Sequence, residues 1–147
     1  MISSILLIEH DNILCDLIQL TLERQGYHVF VANTTDEILT LFQQHSPRVI
    51  LLDLFLPQIN VLALIRQLKS IPQAAETSII LLSAFGYREV IQQAIEAGAQ
   101  DYLLKPINPD ILVERITKAL TETNPGGKTE TNPNQRNVTK PNFRRMG

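Results

Sequence analysis

Five short runs of branched aliphatic residues punctuate the first 122 positions, and amphipathic stretches separate them. The densest runs lie at 4–8, 49–52 and 79–82, with weaker ones at 28–32 and 100–104. A strand with one wet face would alternate apolar and polar residues. Near-continuous apolar runs instead suit parallel strands covered on both faces. The intervening stretches carry helical spacing. Ile13, Leu17, Leu20 and Leu22 share the first with Asp16, Gln19, Glu23 and Arg24, and Gly26 stops it. Thr34 and Thr35 offer caps for a second helix bearing Ile38, Leu39 and Phe42. A third spans about 59–69 and ends before Pro72, and a fourth spans 88–97 and ends at Gly98. The last follows Pro109 and carries Ile111, Leu112, Val113, Ile116 and Leu120. Five βα units in series predict right-handed crossovers and an α/β fold with a doubly wound, five-stranded parallel sheet.

The pattern fails after Thr123. Residues 124–147 are rich in Asn, Pro, Gly, Thr and basic side chains, and nearly free of large apolar groups. Such a segment cannot bury enough surface to offset its ordering entropy, so 123–147 is expected to be a disordered basic tail behind a folded domain at 1–122. The net charge of −2 conceals this division. Residues 1–122 hold 8 basic and 14 acidic side chains, whereas 123–147 hold 5 basic and 1 acidic. Five cations interleaved with Pro and Asn read as a solvated tail, so a nucleic-acid partner is not expected. No window holds the roughly 18 consecutive apolar residues of a membrane span, and no membrane partner is expected. The opening Ile2–Ile8 stretch is short and lacks a basic start, unlike a signal peptide. The single cysteine, Cys15, has no internal partner, which fits a reducing cytoplasm, and its apolar neighbours make it a core residue.

The chemistry gathers at strand ends. Asp53 follows the run Arg48-Val49-Ile50-Leu51-Leu52, and the carboxyl ends of strands in open α/β sheets border the ligand crevice. Three further strand ends are polar: Glu9-His10-Asp11, Ser83-Ala84 and Lys105-Pro106. Acids, a hydroxyl and an amine converging on one edge suit a site that binds a metal and handles phosphate. With Gly98-Ala99-Gln100-Asp101-Tyr102 added, these motifs resemble the receiver domain of response regulators in two-component signalling, the CheY-like superfamily, over about residues 3–122.

That resemblance implies a flavodoxin-like (βα)5 fold and a signalling module rather than an enzyme. Asp53 would accept a phosphoryl group from a histidine kinase or phosphotransfer protein. Joining two anions needs a bridging divalent cation. Mg²⁺, which takes oxygen ligands and keeps several waters, would be held by Glu9, Asp53 and the Phe55 carbonyl. Lys105 would pair with a phosphoryl oxygen, Ser83 would donate to another, and small Ala84 would leave room. Ser83 and Tyr102 would form the switch pair, and Pro106 would follow a cis peptide that aims Lys105. Output would run through the face of the fourth helix, fifth strand and fifth helix, including Arg88, Gln92, Tyr102 and Glu114, to a downstream protein partner. Homodimerisation stays open.

Four residues depart from the family pattern. His10 stands where a second acid is usual, and imidazole is a poor Mg²⁺ ligand. Glu9 is left to hold the ion through water and Asp11 to swing in, so weak Mg²⁺ affinity and slow or pH-dependent phosphorylation are expected. Val61 replaces a usual Gly, and a β-branched residue resists positive φ, so the loop after Pro57 is expected to take a different path. Phe55 and Phe85 occupy positions that help place hydrolytic water, and neither ring can orient it. A long-lived phosphoryl group follows, unless the rings merely shield the crevice. The alternative is a pseudo-receiver that docks or dimerises without phosphorylation. A flavodoxin-like redox protein is disfavoured, because the acidic segment after the first strand would repel phosphate without a metal.

Overall fold

Each aliphatic run forms a strand, and each amphipathic stretch folds back over the sheet as a helix. A computed structural model describes residues 3–122. The order is β1 (Ser4–Ile8), α1 (Asn12–Arg24), β2 (His28–Val31), α2 (Thr35–His45), β3 (Val49–Asp53), α3 (Val61–Lys69), β4 (Ser78–Ser83), α4 (Arg88–Ala97), β5 (Asp101–Leu104) and α5 (Pro109–Glu122). A 3₁₀ turn at Pro72–Glu76, absent from the sequence reading, joins α3 to β4. The tail expected at 123–147 lies outside the described residues.

The five strands pair in parallel in the order β2-β1-β3-β4-β5. Strand alternation splits the core into two layers. Leu6, Ile8, Ile50, Leu52, Ile79 and Leu81 face a layer with Ile38, Phe42, Leu64, Ile65 and Ile91 from α2, α3 and α4. Ile5, Leu7, Val49, Leu51, Ile80 and Leu82 face the other, with Ile18, Leu22, Leu112 and Ile116 from α1 and α5. Fully burying a Leu or Ile contributes about 1.5–3 kcal/mol, so the central strands β1, β3 and β4 anchor both layers.

Local capping sets the helix starts. Asp11 accepts from the backbone N–H groups of Ile13 and Leu14 ahead of α1. Thr34 and Glu37 form a reciprocal capping box at α2. Asn60 caps α3 by accepting from Ala63 N–H, so that helix begins at Val61 rather than near 59. Val61 is thus helical and packs into the core, and the left-handed residue of the preceding loop is Gln58, at φ +65°. Gly98 ends α4 at φ +135°, and a Cβ there would lie 2.5 Å from Lys69 Cγ. Only glycine satisfies both demands.

Candidate functional site

The sheet order reverses between β1 and β3, which opens a crevice at their carboxyl ends. Glu9 and His10 leave β1 on one side of it, and Asp53 closes β3 on the other. Lys105 arrives from the end of β5, preceding a cis peptide to Pro106. The two acids are buried, each only 2% exposed, whereas His10 is open to solvent.

These four side chains touch. Lys105 Nζ lies 3.0 Å from both carboxylate oxygens of Glu9 and 3.4 Å from Asp53 Oδ2. His10 Nδ1 lies 2.8 Å from Asp53 Oδ2 and 3.6 Å from Glu9 Oε2. Backbone groups complete the cradle: Phe55 N–H donates to Asp53 Oδ1 at 3.0 Å, and Asp11 N–H donates to Glu9 Oε2 at 3.1 Å. Burial raises the Glu9 carboxyl above its ordinary value, although Lys105 and the Asp11 N–H pull it down. Burial alone would lower Lys105; its hydrogen bond to Glu9 and the charges of Asp53 and Glu9 outweigh that and raise it. Two buried carboxylates thus share one ammonium.

The remaining residues take distinct places. Leu82 pairs with Asp53 across the sheet, so Ser83 stands one step further along the same edge. Its hydroxyl donates to Phe85 C=O at 2.6 Å and accepts from Phe85 N–H at 3.1 Å. Ala84 follows it, exposed. Tyr102 is 3% exposed and packs in the core layer of α2, α3 and α4, so it does not join Arg88, Gln92 and Glu114 among the exposed residues. Asp11 does not swing into the crevice, because its carboxylate caps α1.

Phe55 and Phe85 were legible in the sequence; Tyr87 and the packing of the three rings were not. Tyr87 stacks on Phe85 at 5.2 Å between ring centroids, and Phe55 meets both edge-on at 5.8 and 6.2 Å. All three rings are substantially exposed. The visible signal was the Phe85-Gly86-Tyr87 spacing, which alone does not foretell a contact with Phe55.

A divalent cation fits this donor set in part. Glu9 and Asp53 offer buried oxygens, and Glu9 Oε1 accepts no hydrogen bond although Lys105 Nζ stands beside it. Ligand atoms of Glu9, His10 and Asp53 all lie within 4.8 Å of one another. The imidazole is the member that does not suit Mg²⁺.

Among the described residues no helix is long and apolar enough to cross a membrane. Residues 5–117 match the model of the response regulator receiver domain. The transcriptional regulatory protein KdpE of Staphylococcus aureus is 38% identical over 128 residues, which cover 83% of this chain and 54% of KdpE. The chain spans about half the length of the first such curated relatives. A 14.6 kDa protein of Leptolyngbya boryana is 30% identical and covered to 86% of its length. The crystal structure of a CheY-like receiver domain protein from Methanospirillum hungatei superposes with a TM-score of 0.78 at 27% identity, covering 86% of this chain and all of that one. The strand order, the paired acids at one sheet edge and the matched residues agree: this chain belongs to the response regulator receiver domain family of two-component signalling.

Proposed function

We propose that Asp53 is the phosphoacceptor, and that the domain signals through protein contacts that depend on its phosphorylation. The observation that carries this reading is the presentation of Asp53: a buried carboxylate with one oxygen held by Phe55 N–H and the other between His10 Nδ1 and Lys105 Nζ. An Asp53 oxygen forms the bond to phosphorus as the phosphorus–nitrogen bond of a phosphohistidine on a kinase or phosphotransfer protein breaks. Lys105 neutralises a phosphoryl oxygen, Ser83 leaves Phe85 to donate to another, and Ala84 leaves space. A divalent ion held by Glu9, Asp53 and the Phe55 carbonyl would screen the meeting of two anions. The message leaves through the face of α4, β5 and α5, where Arg88, Gln92 and Glu114 are exposed. In this reading residues 1–122 act as the receiver and the output belongs to a protein partner.

The test is intact mass after incubation with a small phosphodonor and Mg²⁺, beside Asp53→Ala. A single phosphoryl adduct, lost in the variant, is expected. A second reading, a docking module that works without phosphorylation, rests on the 2.8 Å contact between His10 and Asp53. No adduct in wild type with Mg²⁺, restored by His10→Asp, would favour it.

A further inference from the structure

We infer that the divalent ion of this crevice is a first-row transition ion bound through His10 Nδ1, of the class of Zn²⁺ or Co²⁺, rather than Mg²⁺. The inference deepens the proposed phosphoacceptor site and rests on it for its biological use, although ion binding itself needs no phosphodonor.

Three observations converge. First, His10 Nδ1 is already close enough to each buried acid to share one ion with it. Atoms bound at about 2.0–2.2 Å to a common centre lie at most about 4.4 Å apart. His10 Nδ1 is 2.8 Å from Asp53 Oδ2 and 3.6 Å from Glu9 Oε2. Second, no third carboxylate among the described residues takes the place of His10 in the crevice. The nearest alternative acid in sequence, Asp11, is committed to Ile13 and Leu14 at the start of α1. Freeing it would uncap the helix, at a cost of about 0.5–2 kcal/mol. Third, His10 aims into the crevice without being confined there. Its ring is 54% exposed, yet Nδ1 points at the two buried acids. Nδ1 therefore has room to exchange its contact with Asp53 for a metal.

Ligand chemistry then decides the ion. Imidazole nitrogen suits Zn²⁺, Cu²⁺, Fe²⁺ and Ni²⁺, whereas Mg²⁺ demands oxygen and gives up its waters reluctantly. A neutral nitrogen in place of a carboxylate also removes one negative charge, which weakens a hard, charge-driven ion most. Any nitrogen or oxygen site prefers Zn²⁺ to Mg²⁺ to some degree, so the informative quantity is how each affinity responds to residue 10.

The experiment uses the untagged full chain, titrated calorimetrically with MgCl₂, CoCl₂ and ZnCl₂, beside His10→Asn and His10→Asp. His10→Asn should weaken Co²⁺ and Zn²⁺ by about tenfold or more, the scale on which even partners of a metal ligand act, and leave Mg²⁺ unchanged. His10→Asp should strengthen Mg²⁺. Long-range ¹H–¹⁵N spectra of the imidazole rings supply a second readout: Zn²⁺ should shift His10 Nδ1, and Mg²⁺ should not. Affinities indifferent to His10→Asn, or a His10 nitrogen unmoved by Zn²⁺, would overturn the inference. Thermal melts of both variants verify folding. The two claims fail separately. Nitrogen coordination without any phosphoryl adduct would sink the phosphoacceptor reading alone; an Mg²⁺-dependent adduct with no nitrogen shift would sink this one alone.

Discussion

Cys15 shows how burial silences a reactive side chain. Its thiol packs against the sheet, donates to Glu9 C=O at 3.1 Å, and is pushed up to about 11 from 9.0 by burial, with Glu9 and Asp16 adding to the rise. At pH 8 the folded protein should label with iodoacetamide about a hundredfold more slowly than the urea-unfolded chain. Because the folded value is the higher one, the thiol's contribution to stability is complete below pH 9.0 and fades as pH rises through about 11. Urea melts of wild type and Cys15→Ala should therefore converge over that interval. The three rings of Phe55, Phe85 and Tyr87 make a different prediction, conditional on phosphorylation of Asp53. With neither Phe55 nor Phe85 able to orient water, the acyl phosphate should persist for minutes, and Phe55→Asn should shorten its lifetime in a mass-spectrometric time course. Residues at strand ends were legible in the sequence because β-strand exits are easy to place. The direct His10–Asp53 contact and the packing of the three rings were not, because motifs place segments at one sheet edge without fixing which side chains touch across it.

At the scale of elements, capping explains where helices begin, and one glycine explains where two of them meet. Thr34 Oγ1 accepts from Glu37 N–H at 3.1 Å, while Glu37 Oε1 accepts from Asn33 and Thr34 N–H at 2.8 and 3.3 Å. Thr34→Ala should cost about 1 kcal/mol in chemical denaturation, without moving the site. Gly98→Ala should cost more, about 1–3 kcal/mol, because a Cβ collides with Lys69 as well as straining the backbone. Lys69 has little room to retreat, since its Nζ donates to Ala74 and Thr77 carbonyls at 3.1 and 2.8 Å. The helix after β3 illustrates the limit of periodicity. Its apolar spacing pointed to a start near 59, but the Asn60 cap and the left-handed turn at Gln58 set it at Val61. The Pro72–Glu76 turn was missed for a similar reason: a single 3₁₀ turn is too short to express a repeat.

At the scale of the whole molecule, the described residues form a sheet with two separate interiors. Phe42, fully buried between α2 and the sheet, belongs to one of them, and Phe42→Ala should cost about 3–5 kcal/mol while sparing contacts of α1 and α5. Alternation of strand and helix was readable from composition alone, because continuous apolar runs have few other uses. The strand order was not readable from any one run; it follows from right-handed crossovers and from the resemblance of the motifs. Ser83 ties the end of β4 to the ring group beside the crevice. Its hydroxyl holds both polar groups of the Phe85 backbone, and Phe85 in turn carries the ring on which Tyr87 lies. Two such bonds contribute about 1–3 kcal/mol in net terms. That is a bias of about five- to 150-fold, the size of a typical coupling free energy. The hydroxyl is therefore a latch rather than a lock. Under the proposed phosphoacceptor reading, unphosphorylated molecules would spend a small, measurable fraction of time released, and the resting domain would leak signal at a level that Ser83→Ala would reset.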